Sequence, residues 1–238
     1  MDLKEADIIG PDPLGHWYYK SKAQAMARLI GPEHPSVILD VGAGSGFFSS
    51  YLLDTSSARE AWCVDTGYAE ERDERRGSKP LHFRRGIESC PADLVLLMDV
   101  LEHVDDDLGL LRSYVERVPR GARFLISVPA FSFLWSDHDV FLEHRRRYRL
   151  GEVEELVLKA GLTAERAAYF FGSVFPLAAA IRLSQRVMPA RNAPPRSQLV
   201  RHHPAVNAAL AGLCRLELPL MRFNRLAGLS AFCLARKA

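Results

Sequence analysis

The chain has 238 residues, 48% hydrophobic and 25% charged, with a formal net charge of +2. These values suit one large globular domain, or a domain with an elaborated lobe, and offer no global basic field for nucleic acid. The four cysteines (Cys63, Cys90, Cys214, Cys233) are scattered without a Cys-x-x-Cys pair, so neither a zinc site nor a disulfide framework is implied.

Met1-Asp2-Leu3-Lys4-Glu5 contains no apolar core of a signal peptide. Reduced, buried thiols in a cytoplasmic protein are the expectation. Gly10 to Gly15 is a turn-rich entry, and His16 to Ile30 reads as a helix with Ala25, Met26, Leu29 and Ile30 on one face, stopped by Gly31-Pro32. Val37–Val41 is the first strand, Phe47–Leu53 a helix and Ala61–Asp65 the second strand. The mixed charge run Glu70–Arg76 reads as a solvated helix face or loop. Leu81–Arg84 is a short third strand. Ala92–Met98 is the fourth, apolar throughout as a strand covered on both faces should be.

Val104, Leu108, Leu111, Val115 and Val118 form one helical stripe, ended by Pro119-Arg120-Gly121. Ala122–Val128 is the fifth strand. Val153, Leu156, Val157 and Ala160 form the next stripe, with Gly161 as its C-terminal cap. Strands alternating with helices predict an α/β fold, a mostly parallel seven-stranded sheet with helices on both faces. Leu162–Tyr169 and Leu229–Arg236 supply the last two strands. Between them lie an apolar helix (Val174–Met188), a proline-broken linker (Pro189 to Pro204, with Pro194-Pro195) and a second stripe (Val206, Leu210, Leu213, Leu220). The expectation is a single domain over 1–238 with a helical insert at 171–227. The longest uncharged stretch, Ala167–Ile181, has 15 residues and contains Gly172 and Pro176. A membrane span needs ~20, so none is expected.

Residues 37–47, Val-Ile-Leu-Asp-Val-Gly-Ala-Gly-Ser-Gly-Phe, hold the most information. A buried strand ends in an acid, passes through three alternate glycines and enters a helix. Nucleotide-like cofactors sit at such crossings in open α/β sheets. Asp65 lies 19 residues beyond Gly46, near the ~20-residue offset at which an acid meets ribose hydroxyls. A dinucleotide fingerprint, Gly-x-Gly-x-x-Gly/Ala, would need a small residue where Phe47 stands, which argues against a nicotinamide-linked oxidoreductase.

The Gly-x-Gly-x-Gly loop, with Asp40 two residues before it, Asp65 behind it and the block Asp93-Leu94-Val95-Leu96-Leu97-Met98-Asp99-Val100-Leu101-Glu102-His103, resembles the class I S-adenosylmethionine (SAM)-dependent methyltransferases, in the family's order and spacing. The fold is then Rossmann-like and the cofactor SAM. The resemblance implies cofactor contacts from Asp40, Gly42, Ala43, Gly44, Gly46, Asp65, Thr66, Ile87, Asp99 and Val100. Asp65 would accept from the ribose hydroxyls, and Asp40 would support the amino-acid end or the loop itself. Asp99, ending the fourth strand, suits a cation. At ~4 Å and an effective dielectric of ~20 that attraction is about 4 kcal/mol before desolvation. Many relatives carry an acid just after the third strand. Here Phe83-Arg84-Arg85-Gly86-Ile87-Glu88 offers only a late Glu88, and Ile87 could pack on the adenine instead.

Leu134-Trp135-Ser136-Asp137-His138-Asp139 and His144-Arg145-Arg146-Arg147-Tyr148 follow the fifth strand on the substrate side. With His16-Trp17-Tyr18-Tyr19 they resemble a type 11/12/23-like subgroup, whose aromatic start usually continues to an arginine; Lys22 stands nearest. Three readings compete for residues 135–148. One is a substrate pocket, with Trp135, Asp139, Arg147, Tyr148 and Tyr18 as contacts, His138 or His144 as general base, and Arg145–Arg147 as an anion clamp. Another is a metal site from Asp137, His138, Asp139 and His144; no helical His-x-x-x-His spacing supports it, and no metal is expected. The third is a hydrogen-bonded loop scaffold with a solvated basic end.

The expected activity is methyl transfer by in-line displacement to a small-molecule, sugar or lipid-linked acceptor, with the histidines favouring oxygen. The alternatives are an inactive SAM-binding or regulatory protein and a nicotinamide-linked oxidoreductase. No nucleic-acid partner is expected. An apolar lid bearing Arg182, Arg186 and Arg191 admits peripheral membrane contact.

Overall fold

A computed structural model describes residues 9–10, 12–32, 35–187 and 197–238. Helix α1 (Trp17–Ile30) starts at His16, whose Nδ1 accepts the Tyr18 amide, and ends at Gly31 with φ 73°. Strand β1 (Val37–Val41) leads through the glycine loop to α2 (Phe47–Thr55), and β2 (Glu60–Val64) follows. Then come β3 (Arg72–Arg76), β4 (Lys79–Arg84), β5 (Leu94–Met98), α3 (Asp107–Arg117) and β6 (Arg123–Pro129). The short α4 (Asp137–Phe141), then α5 (Leu150–Lys159), β7 (Leu162–Phe170), α6 (Phe175–Val187), α7 (Pro204–Glu217) and β8 (Ser230–Lys237) complete the order.

The sheet has eight strands in the order β3-β4-β2-β1-β5-β6-β8-β7. The five from β4 to β6 are parallel, while β3 and β8 run antiparallel to their neighbours. All five β5 residues are buried, because apolar layers cover both faces. The eighth strand is β3, where the sequence led us to expect a solvated helix face or loop. The reason is visible in its pairing. Arg72–Arg76 is an exposed edge strand without apolar alternation, held by its backbone ladder to β4. Asp73 reaches the His82 ring and Arg84, each at 2.7 Å. A charged edge also discourages strand addition by other chains.

The parallel strands end together at one edge. There the backbone turns sharply: φ is positive at Gly42 after β1, Asp99 after β5, Phe131 after β6 and Phe171 after β7. Each non-glycine residue held so costs of order 1–3 kcal/mol, which the surrounding packing must impose.

The chain between β7 and β8 carries α6 and α7. Asn207 on α7 accepts the Trp17 amide at 2.9 Å and donates to the Gly15 carbonyl, also at 2.9 Å. Glu217 accepts the amides of Gly172 and Ser173 at 2.7 and 3.0 Å. Helix α7 thus closes onto both α1 and the end of β7. Met1–Glu5, Met188 and the linker residues through Pro194 and Pro195, including Arg191, lie outside the described residues, as does the side chain of Arg186. Among the described residues no helix is long and apolar enough to cross a membrane.

Candidate functional site

The glycine loop lies between the ends of β1 and β2. Gly42, Gly44 and Gly46 all have positive φ, at 62°, 53° and 70°. A Cβ on Gly42 would sit 2.7 Å from Val100 Cγ2, and one on Gly46 would sit 3.1 Å from the Phe83 ring. Asp65 accepts the Gly44 amide at 3.0 Å and the Gly67 amide at 2.8 Å, which shapes the loop around its carboxylate. Ser45 Oγ is buried in this loop without a hydrogen-bond partner. A group with donors and acceptors of its own would satisfy it. Thr66 is exposed beside Asp65, while Ile87 and Val100 are half-buried on the apolar layer below. Ala43 is buried.

Asp40, on β1, is engaged by α2. It is 1% exposed and accepts from Ser49 Oγ of α2 at 2.8 Å, tying strand to helix. Burial pushes its carboxyl up to about 6.

Asp99 already has a cation. The Lys22 ammonium, fully buried on α1, pairs with one carboxylate oxygen and also donates to Tyr18 Oη at 3.2 Å. Ser127 Oγ donates to the other oxygen at 3.3 Å. Burial works against the ammonium, but Asp99 and Tyr18 outweigh it and hold Lys22 charged, above its ordinary range. Lys22 therefore fills the place at which the sequence suggested an arginine.

Beyond Asp99 lies a cavity of about 470 Å³ under α6, α7 and the 197–202 segment. Trp17, Tyr18, Leu142, Leu177, Ile181 and Leu210 give it apolar walls; Asp99, Glu102, His103, His138, His144, Arg147 and Arg182 supply its polar groups. Tyr18 stacks on Phe171 at 5.0 Å, so the strained turn after β7 props up the wall. Arg182 donates to Gln198 Oε1 at 2.9 Å and pairs with no carboxylate among the described residues. Burial, then Arg147, pushes its guanidinium down to about 10, still charged at neutral pH.

The 135–148 segment folds around Asp139, which is fully buried. Arg147 Nε and an Nη donate to its two oxygens at 2.7 and 2.9 Å, and His144 Nδ1 lies 2.9 Å from the first. Burial pushes this carboxyl up, but the bonds from His144 and Arg147 win and hold it well below the usual range. Asp139 also accepts the Ser136 amide, closing a capping box on α4. The predicted substrate contact Asp139 is thus a scaffold acid, with Arg147 neutralised beside it. Tyr148 donates to Asp107 at 2.8 Å from a buried position. Trp135 is half-buried off the cavity, and Trp17 supplies the aromatic wall instead. Arg145 and Arg146 face Asp105 and Asp107. Of the predicted contacts, Tyr18 and Arg147 reach the cavity.

The two histidines differ. His138 Nδ1 accepts the Gln198 amide at 3.2 Å, so its proton sits on Nε2. Burial, then Arg182, pushes its pKa down to about 3, which makes it a weak base. His144 donates from Nδ1 to ionised Asp139, leaving the Nε2 lone pair available. His103 lies against it, ring centroids 4.8 Å apart.

Glu102 is the feature that sequence reasoning passed over. It is fully buried, and neither carboxylate oxygen has a hydrogen-bond partner. Burial, then the Asp99 charge, holds the carboxyl well above its ordinary range. An orphaned buried group of this kind costs about 1–3 kcal/mol, more if charged. The signal was the apolar frame around it: an acid and an imidazole side by side just after a fully buried strand.

The family model described as a methyltransferase domain matches residues 14–167. Among solved structures, a proposed sarcosine dimethylglycine methyltransferase from Galdieria sulphuraria superposes with a TM-score of 0.58 at 14% identity, over 92% of this chain and 86% of that one. A proposed methyltransferase from Bacillus halodurans gives 0.55 at 11% identity, over 91% and 99%. CalO1, a methyltransferase of calicheamicin biosynthesis in its SAH-bound form, gives 0.50 at 19% identity, over 64% and 52%. At these identities the likeness is one of fold. A search of curated proteins returns no match.

Proposed function

The chain belongs to the methyltransferase domain family, whose cofactor is S-adenosylmethionine, and on that premise we propose that it methylates an oxygen of an anionic amphiphile held beneath the α6–α7 lid. The observation that carries this reading is that one dipeptide borders both compartments. Val100 packs over Gly42 in the glycine crevice, and Asp99 lines the cavity.

The crevice fits the cofactor by its left-handed glycines, by the orphaned Ser45 hydroxyl and by Asp65 at the end of β2. Asp65 and the loop amides would hold its sugar and amino-acid ends, with Ile87 and Val100 flanking the base. When bound, SAM supplies an electrophilic methyl group on a sulfonium. The protein then has to align the acceptor for in-line displacement and exclude water; orientation alone is worth roughly 7–11 kcal/mol. Trp17, Tyr18, Leu177 and Ile181 do this by apolar enclosure. Arg182 attracts negative charge at the acceptor's head. His144, with Nδ1 committed to Asp139, presents its other nitrogen to take the hydroxyl proton.

The lipid-linked variant of this reading is supported by the side of the lid away from the cavity, where Leu183, Leu213 and Leu216 are exposed. Incubation with methyl-labelled SAM and fractionated cell extract tests the whole reading. Label in an anionic, organic-extractable product is expected. Label confined to the macromolecular pellet, or no transfer with SAM bound, would overturn it.

A further inference from the structure

We propose that Glu102, His103 and His144 form a binding site for one divalent transition-metal ion in the wall of the acceptor cavity. One ligand atom from each residue lies within 4.8 Å of the others, a spacing that small side-chain rotations close onto a common centre. All three residues line the cavity. The independent sign is Glu102. Both of its oxygens are buried, and no other described residue hydrogen-bonds them.

The surroundings hold the three groups in place. His144 gives Nδ1–H to Asp139, which fixes the tautomer and aims the Nε2 lone pair away from that carboxylate. Carboxylate–imidazole pairs of this kind commonly stand behind metal ligands. Asp139 is held in turn by the Arg147 fork. Glu102 and His103 sit on one 3-10 turn after β5. That turn is fastened to the His144 segment by the Arg145 amide, which donates to the Glu102 carbonyl at 2.6 Å, while Tyr148 Oη shares its one proton between Asp107 and the Leu101 carbonyl, at 2.8 and 3.1 Å.

Two imidazoles and one carboxylate suit Zn²⁺, Mn²⁺, Fe²⁺ or Co²⁺ better than the all-oxygen preference of Mg²⁺ or Ca²⁺. Three protein ligands leave room for water or an oxygen of the acceptor. That last extension rests on the methyl-transfer reading; the metal site itself does not, and an ion held there occupies the His144 Nε2 lone pair, so the base role given to His144 belongs to the metal-free protein.

The test uses the full chain, without a histidine tag and stripped by chelator. Co²⁺ is titrated in the absence of cofactor and followed by its visible d–d absorption, with Zn²⁺ and Mn²⁺ as competitors. One Co²⁺ per chain with Kd below about 10 μM is expected, weakened at least about tenfold in Glu102→Gln and in His144→Ala. His103→Gln serves as a third variant should either fail to fold. His82→Ala, half-buried on β4 and outside the cavity lining, should leave Co²⁺ affinity unchanged. No stoichiometric binding at about 1 mM Co²⁺, or full affinity in a folded Glu102→Gln protein, overturns the site. SAM binding is measured on the same stripped sample. SAM without Co²⁺ binding removes the metal site and leaves the donor reading; Co²⁺ without SAM binding does the reverse.

Discussion

Replacing Lys22 by methionine removes the buried partner of Asp99 while keeping the length and apolar stem of the side chain. Two opposite charges ~4 Å apart at an effective dielectric of ~20 attract by about 4 kcal/mol, and loss of one member of a buried pair costs about 3–5 kcal/mol. Asp99 retains 30% side-chain exposure, so water can rehydrate it in part, and the lower end of that range, about 3 kcal/mol, is expected for Lys22→Met. In a chain of this size that is a fall in Tm of roughly 6–12 °C. Urea unfolding of Lys22→Met, Asp99→Asn and the double variant forms a thermodynamic cycle. The double variant should lose less than the sum of the singles by about 2 kcal/mol or more. The charge on Asp99, no longer spoken for, should also make the cavity mouth more attractive to small cations. Single-variant losses below about 0.5 kcal/mol, or additive losses in the cycle, would refute the claim that this pair holds α1 to the end of β5.

Asp65→Ala removes two loop bonds and the proposed ribose acceptor; at roughly 1.5–3 kcal/mol per charged bond, calorimetric SAM affinity should fall at least about 100-fold, and retained affinity would exclude the role. Asp40 carries a pH signature. Its folded pKa, near 6, stands above the ordinary value of 3.8 because of burial, so the native state binds more protons than the unfolded chain between those values. Stability attributable to this group therefore falls as pH rises from about 4 to 6, by about 3 kcal/mol in all, then levels off. Denaturant titrations of Asp40→Asn should drift upward relative to wild type across that window, and a constant difference would contradict the assignment. Arg182→Met should raise the acceptor KM about tenfold or more with little change in SAM affinity, measured once label transfer has identified an acceptor. Flotation with anionic vesicles should carry the wild-type protein upward if the lid's exposed leucines meet lipid; protein remaining at the bottom removes the membrane part of the reading.

Most of the fold was legible because its strands are covered on both faces. Leu94–Met98 reads as a buried strand from residue types alone, and the glycines after Val41 mark the crossing. The edge strand Arg72–Arg76 was not legible, since ladder bonds and ion pairs leave no periodic trace in the sequence. Residues lining the cavity were legible by region but not by direction. Trp135 and Tyr148 stand in a segment that reaches the cavity but do not line it, because a loop residue's orientation is set by partners such as Asp107, which lies 41 positions away from Tyr148. Lys22 and Glu102 acquire meaning only once α1 and the turn after β5 converge on Asp99 and His144.

Strand β8 follows every other strand in the chain, yet it lies between β6 and β7. While the polypeptide emerges from the ribosome, both neighbours must wait with unpaired edges, and the lid helices have been made before the strand that anchors their far end. Assembly of this half of the molecule therefore closes from the inside last, and the interval before it does is when the nascent chain is most open to misplaced strand pairing.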